Sequence, residues 1–215
     1  MALRAVIFDL DGVLVSTDEF HYCAWQRLAD EEGLPFDREA NNRLRGVGRM
    51  QCLEIMLERS RRSYTPSEKA ALADRKNCYY RESLKALSPR DILPGVSEIL
   101  RGLRVRGVKV AVASSSRNAP EILGRTGLAG AADATADGND ITRSKPDPEV
   151  FLVAAARLGV APVECLVVED AASGVEAAAA AGMACLAIGA AAGHPLAGLS
   201  AADLESITVD EMLAT

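Results

Sequence analysis

The sequence predicts an α/β fold: a doubly wound parallel sheet carrying an inserted, all-helical segment. Three observations lead there. Residues 4–8, 108–113, 165–169 and 183–188 are short apolar runs of the kind that parallel strands buried on both faces require. Helical stretches near 95–106, 118–127, 147–159 and 172–181 alternate with them, and strands alternating with helices make a doubly wound sheet. The third observation is a gap. Residues 16–87 are charged and amphipathic and contain no convincing strand, so an all-helical insert separates the first strand from the rest of the sheet.

Taken in order, the first element is Arg4-Ala5-Val6-Ile7-Phe8, whose apolar run reads as a buried strand. Asp9 and Asp11 follow, separated by one residue, and then Gly12. Strand side chains alternate, so the two carboxylates leave the strand end on the same side. Like charges that close are costly unless a divalent cation or a proton on one carboxyl offsets them. A nucleophilic carboxylate beside a general acid/base needs the same arrangement. By itself D-x-D-G is also an ordinary strand-to-turn boundary.

The insert shows helical spacing at Trp25, Leu28 and Ala29, and again at Leu53, Met56 and Leu57. Its crossings fall near Ser16–Asp18 and Ala86–Pro89. Gly46-Val47-Gly48 is not a dinucleotide fingerprint, because no strand precedes it. An insert placed directly after a strand that carries chemistry sits over the site as a lid that excludes water.

The sheet pattern resumes after Ser88-Pro89, and Leu93-Pro94-Gly95 precedes a helix. Val110 to Ala113 reads as a strand that ends in three hydroxyls, Ser114, Ser115 and Ser116. Asn118 with Glu121, and Ser173 with Glu176, have capping-box spacing and mark two helix starts. Ser144-Lys145-Pro146-Asp147-Pro148 forms a loop before a helix, and Val167-Val168 leads into Glu169-Asp170. Ala177 to Ala202 lacks Lys, Arg, Asp and Glu and is long enough to span a bilayer. Its alanines are interrupted by Gly182, Gly189, Gly193, Pro195 and Gly198, so it reads as helix, strand and loop.

Composition narrows the class. With 49% hydrophobic and 25% charged residues the chain is an ordinary globular protein rather than a membrane or disordered one. A net charge of −6 argues against a nucleic-acid surface, and Arg59, Arg61 and Arg62 read as a solvated helix end. Five scattered cysteines without a C-x-x-C fit a reducing compartment and no zinc site. No secretory leader is recognisable, so the expected location is the cytoplasm.

Four ordered motifs, Asp9-Leu10-Asp11-Gly12, Ser114-Ser115-Ser116, Ser144-Lys145-Pro146 and Glu169-Asp170, together resemble the haloacid dehalogenase superfamily of aspartate-nucleophile phosphotransferases over nearly the whole chain. The resemblance implies a catalytic core of residues 1–15 and 88–215 and a helical cap of residues 16–87. In it Asp9 is the nucleophile and Asp11 the general acid/base. Mg²⁺ is held by Asp9, Asp170, the Asp11 carbonyl and Glu169, directly or through water. Ser114 and Lys145 bind the transferring phosphoryl oxygens.

The cap resembles that of the β-phosphoglucomutase branch in Glu19-Phe20-His21, Ala24-Trp25, Arg45-Gly46-Val47-Gly48-Arg49 and Arg75-Lys76-Asn77. The core adds Ser114-Ser115-Ser116-Arg117-Asn118. This implies that Arg49 grips the phosphate distal to the transferring one, with Ser116, Arg117 and Asn118 on the core side. Thr17 and His21 would couple the hinge to Asp11, Lys76 would meet the sugar or its hinge, and Trp25, Gly46 and Val47 would lie near the ring. Gly48 stands where that branch has serine, Ser115 where it has alanine and Arg117 where it has lysine, and residues 137–143 also differ. Gly48 removes a substrate hydrogen bond and leaves the sugar open.

The expected function is that of a monomeric β-phosphoglucomutase acting on small sugar phosphates, with glucose 1,6-bisphosphate as the activating intermediate and neither nucleic acid nor membrane as partner. A sugar-phosphate phosphatase of the same superfamily is the alternative. A non-catalytic sugar-phosphate sensor is the third reading, but a pure binder needs no nucleophile.

Overall fold

A computed structural model describes residues 3–214. Six strands, β1 (Ala5–Phe8), β2 (Lys109–Ala113), β3 (Ala134–Ala136), β4 (Cys165–Glu169), β5 (Ala184–Ala187) and β6 (Leu199–Ser200), form one parallel sheet in the order β3-β2-β1-β4-β5-β6. The strand that ends in Asp9 therefore lies inside the sheet. Phe8 pairs with Val112 on one side and Val168 on the other, which brings Asp9, Ser114 and Glu169 to the same carboxyl edge. Open parallel sheets place their sites at that edge.

The period of two divides the core. Val6 and Phe8 face one apolar cluster with Ile99, Leu103, Ile122 and Met212, from α5 (Val96–Val105), α6 (Ala119–Thr126) and α9 (Val209–Leu213). Ala5 and Ile7 face the other, with Phe151, Leu158, Val175 and Ala178, from α7 (Glu149–Leu158) and α8 (Ala172–Ala180). Cys165 and Cys185 are small buried members of this second cluster. The alanines of α8 let it sit close on the sheet. A Cβ at Gly174 would collide with the Glu169 carboxylate.

Residues between β1 and α5 are helical, as expected: α1 (Asp18–Glu32), α2 (Arg38–Asn42), α3 (Arg49–Leu57) and α4 (Pro66–Leu84). They pack around a third cluster containing Trp25, Leu28, Ala29, Leu53, Met56 and Leu72. The roots of α1 and α4 leave that cluster: Ala24, Tyr80 and Leu84 join the core on the sheet. The two connections run side by side, with Ser16 N donating to Asp91 O at 3.1 Å and Leu93 N to Leu14 O at 3.0 Å.

The sequence pattern misses β3 and β6. Ala-Thr-Ala and Leu-Ser are too short for an apolar run, and only pairing at the sheet edge makes them strands. Both expected capping boxes are also corrected. Ser173 lies inside α8, whose N-cap is Ala171, and no side chain caps that end; Glu169 accepts from Asp170 N and Ala171 N in the turn before it. Asn118 does precede α6, but its side chain donates to Asn77 at 2.9 Å instead of capping. Among the described residues no helix is long and apolar enough to cross a membrane, Ala177–Ala202 included.

Gly95 begins α5 at φ +78, and a Cβ there would lie 2.5 Å from the Leu204 carbonyl carbon. Left-handed backbone plus that contact makes Gly95→Ala cost about 1–3 kcal/mol. Urea titration should show a lower midpoint with an unchanged slope, and an unshifted midpoint would mean the contact is relieved without cost.

Candidate active site

At the carboxyl edge Lys145 is wholly buried, and its Nζ is the centre of the site. It donates to Asp9 Oδ1, to Glu169 Oε1 at 2.5 Å and to Ala113 O at 3.3 Å. Asp9, Glu169 and Asp170 offer carboxylate oxygens within 4.8 Å of one another, so one ammonium leaves two negative charges uncompensated. Burial accordingly pushes the Asp9 carboxyl well above the ordinary range, against the pull of Lys145. Burial and neighbouring Glu169 raise Asp170 to about 7. A cluster of buried hard oxygens short of two positive charges suits one divalent cation such as Mg²⁺. Gly12 makes room for one of these carboxylates: at φ +87, a Cβ there would collide with Asp170.

Asp11 stands beside this cluster. Burial raises its carboxyl, while a hydrogen bond from Thr17 Oγ1 pulls the other way. A carboxyl that holds its proton more tightly than usual is better suited to act as a general acid.

A cavity of about 470 Å³ opens above these groups, between the sheet edge and the helical segment. Of the residues singled out in the sequence, Asp9, Asp11, His21, Trp25, Gly46, Val47, Arg49, Lys76, Ser114, Ser115, Ser116, Arg117, Asn118 and Asp170 line it. Thr17, Lys145 and Glu169 do not. Thr17 sits behind Asp11, and Lys145 and Glu169 are buried beneath Asp9.

On the core side the hydroxyls after β2 shape a turn. Ser114 Oγ accepts from Ser116 N at 3.1 Å, and Ser116 Oγ from Asn118 N at 3.2 Å. Arg117 is fixed through Nε to Gly138 O. Ser115 Oγ is buried with no hydrogen-bond partner among the described residues.

On the helical side Lys76 is almost fully buried, with Nζ 2.9 Å from His21 Nδ1 and 4.7 Å from the centres of the Trp25 and Tyr80 rings. Burial brings Lys76 down to about 7 and keeps His21 well below its usual value, so both lose charge readily. His21 stacks on Tyr80 at 3.9 Å. Arg49, at the first turn of α3, is lowered by burial and then by the charge of Arg117.

Three contributors were not singled out. Arg45 pairs with Asp18 and comes within 3.9 Å of Asp170, and Asn77 receives the Asn118 amide. Both lie inside stretches that the sequence comparison had marked. Tyr80 carried no signal beyond that of an aromatic at helical spacing.

The family model described as haloacid dehalogenase-like hydrolase matches residues 3–182. The β-phosphoglucomutase of Bacillus subtilis is 42% identical over 198 residues, covering 91% of this chain and 87% of its own. A phosphorylated carbohydrates phosphatase of Thermotoga maritima is 35% identical over 184 residues, 84% of this chain and 82% of that one. The crystal structure of β-phosphoglucomutase from Clostridium difficile superposes with a TM-score of 0.91 at 33% identity, covering 97% of this chain and 94% of that one.

A carboxyl raised on folding binds its proton in the folded state at a pH where the unfolded chain has already lost it. Stability from Asp170 is therefore full below its ordinary value of 3.8 and is lost as pH rises to about 7. In chelator, the stability of the wild type relative to Asp170→Asn should fall across that window and level off above it. Denaturant titrations at several pH values check this; a flat or rising difference would contradict the assignment.

Proposed function

The chain belongs to the haloacid dehalogenase-like hydrolase family, and from that premise we propose that it is a Mg²⁺-dependent β-phosphoglucomutase. It interconverts β-glucose 1-phosphate and glucose 6-phosphate through an aspartyl phosphate and glucose 1,6-bisphosphate. One observation carries this beyond the family. Arg49 from the helical segment and Arg117 from the core line the same cavity as Asp9, and the charge of Arg117 acts repulsively on Arg49. A second phosphate, distal to the one being transferred, relieves that repulsion, and the planar guanidinium suits bidentate phosphate binding. A bisphosphate needs such a second pole.

Each residue then has a role. Lys145 holds Asp9 Oδ1 and orients the carboxylate, whose other oxygen attacks phosphorus. As the bond from phosphorus to the sugar oxygen breaks, Asp11 gives that oxygen its proton. In the return step Asp11 takes the proton of the accepting sugar hydroxyl, the hydroxyl oxygen bonds to phosphorus, and the bond to Asp9 breaks. Thr17 holds Asp11 in place for both transfers. Asp9, Asp170 and the Asp11 carbonyl, with Glu169 beside them, would hold Mg²⁺, which would neutralise the charge that otherwise keeps phosphate from carboxylate. Ser114 and the backbone after it, which line the cavity, receive phosphoryl oxygens. Trp25, Val47 and Lys76 wall the space for the sugar.

Two measurements test this. With β-glucose 1-phosphate, a coupled assay should show glucose 6-phosphate after a lag that added bisphosphate removes, and no turnover in EDTA until Mg²⁺ returns. Free phosphate released as fast as glucose 6-phosphate forms would make the protein a phosphatase; full activity in EDTA would overturn the metal assignment.

Arg49→Ala provides the second. A charge-assisted hydrogen bond is worth about 1.5–3 kcal/mol, so kcat/KM for sugar phosphate should fall roughly 10- to 150-fold. Hydrolysis of acetyl phosphate, which has no distal group, should change little. Equal loss on both substrates would place Arg49 outside the distal pole.

A further inference from the structure

We infer that Gly48 and Ser144 form a steric key that positions Arg49, and with it the distal end of the cavity. The inference rests on the reading that Arg49 receives the distal phosphate.

The backbone at Gly48 does not require glycine. Its φ of −67 and ψ of 147 are extended and open to any residue, unlike Gly46 at φ +70. What excludes a side chain is Ser144. A Cβ at position 48 would collide with the Ser144 hydroxyl and would lie 2.8 Å from the Ser144 Cβ. Rotating the hydroxyl away removes only the first contact, because the Cβ is set by the backbone.

The core side cannot retreat. Ser144 precedes Lys145, whose ammonium is tied to Asp9 and Glu169 under the site. Its carbonyl also accepts from Asp147 N at 3.1 Å. The other side can move. Gly48 is the N-cap of α3, its carbonyl accepts from Cys52 N at 2.9 Å, and Arg49 is the next residue. An added side chain therefore lifts the 45–48 loop and carries Arg49 with it. The loop is seated at a second point as well: Ser173 Oγ donates to Arg45 O at 3.3 Å, and a Cβ at Gly46 would meet Ser173 Oγ at 2.5 Å. Gly48 and Ser144 both line the cavity, so the clearance between them sets where its distal wall stands.

The test is a double-mutant cycle of Gly48→Ala and Ser144→Gly. It is read as total turnover of β-glucose 1-phosphate, counting glucose 6-phosphate and free phosphate together. Misplacing a substrate-positioning group by an ångström costs about 100-fold, so Gly48→Ala should lose 10- to 100-fold in kcat/KM, with acetyl phosphate hydrolysis nearly unchanged. Ser144→Gly alone should stay within a few-fold of wild type, and the double variant should recover to near that level. Ser144→Val presses on the same seam from the core and should reproduce the loss.

Hydrogen exchange of residues 44–52 gives a readout independent of substrate. It should quicken in Gly48→Ala and return to wild-type rates in the double variant. If Gly48→Ala is as active and as protected as wild type, or if Ser144→Gly fails to rescue it, the key does not exist. If the exchange cycle behaves as stated while no variant, wild type included, turns over the sugar phosphate, the proposed substrate is wrong and the key stands.

Discussion

One ammonium group organises the reaction centre. Lys145 is buried between Asp9 and Glu169, and removing its charge from among these carboxylates would leave them unpaired in a low-dielectric interior. The sheet register gives it that position by bringing the ends of β1 and β4 to one level. Glu169 spends its second oxygen on the amides of Asp170 and Ala171, so the same carboxylate fixes the turn ahead of α8 and helps hold the lysine. The close approach of α8, permitted by Gly174, follows from this. The charge that Lys145 does not neutralise is what suits the site to a divalent cation and a phosphoryl group together.

The helical segment meets this centre at three places with different physics. At its root, Ala24, Tyr80 and Leu84 are part of the sheet's apolar core. At the hinge, Thr17 bonds Asp11, so the first residues of the segment touch the group assigned to proton transfer. At the far rim, contact is made by glycines against serines, by the Asn77–Asn118 hydrogen bond and by Arg45 reaching toward Asp170. Apolar burial fixes the root, whereas the rim depends on a few short polar contacts that can part. Under the proposed mutase activity, such a lid would open for exchange of a bisphosphate and close to exclude water.

Much of this was legible in the chain because the signals were local. Val6-Ile7-Phe8 before Asp9, and Val167-Val168 before Glu169, mark strands and place the acids at their ends in one reading. Trp25, Leu28 and Ala29 mark a helix by spacing alone. What stayed hidden depends on three-dimensional neighbours. β3 and β6 are strands only because the sheet edge pairs them. Ser173 falls inside α8, whose N-cap is Ala171, so its capping-box spacing was misleading. The proximity of Gly48 to Ser144 joins residues far apart in sequence, and nothing at either position announces it.

The proposed mechanism requires Asp9 to take the phosphoryl group. The most direct measurement is to incubate the protein with Mg²⁺ and acetyl phosphate, quench in acid and map the phosphate by mass spectrometry. The account predicts an acyl phosphate on the peptide carrying Asp9, absent in Asp9→Asn and discharged onto sugar when β-glucose 1-phosphate is added before the quench. Phosphate on any other residue, or labelling that survives Asp9→Asn, would contradict it.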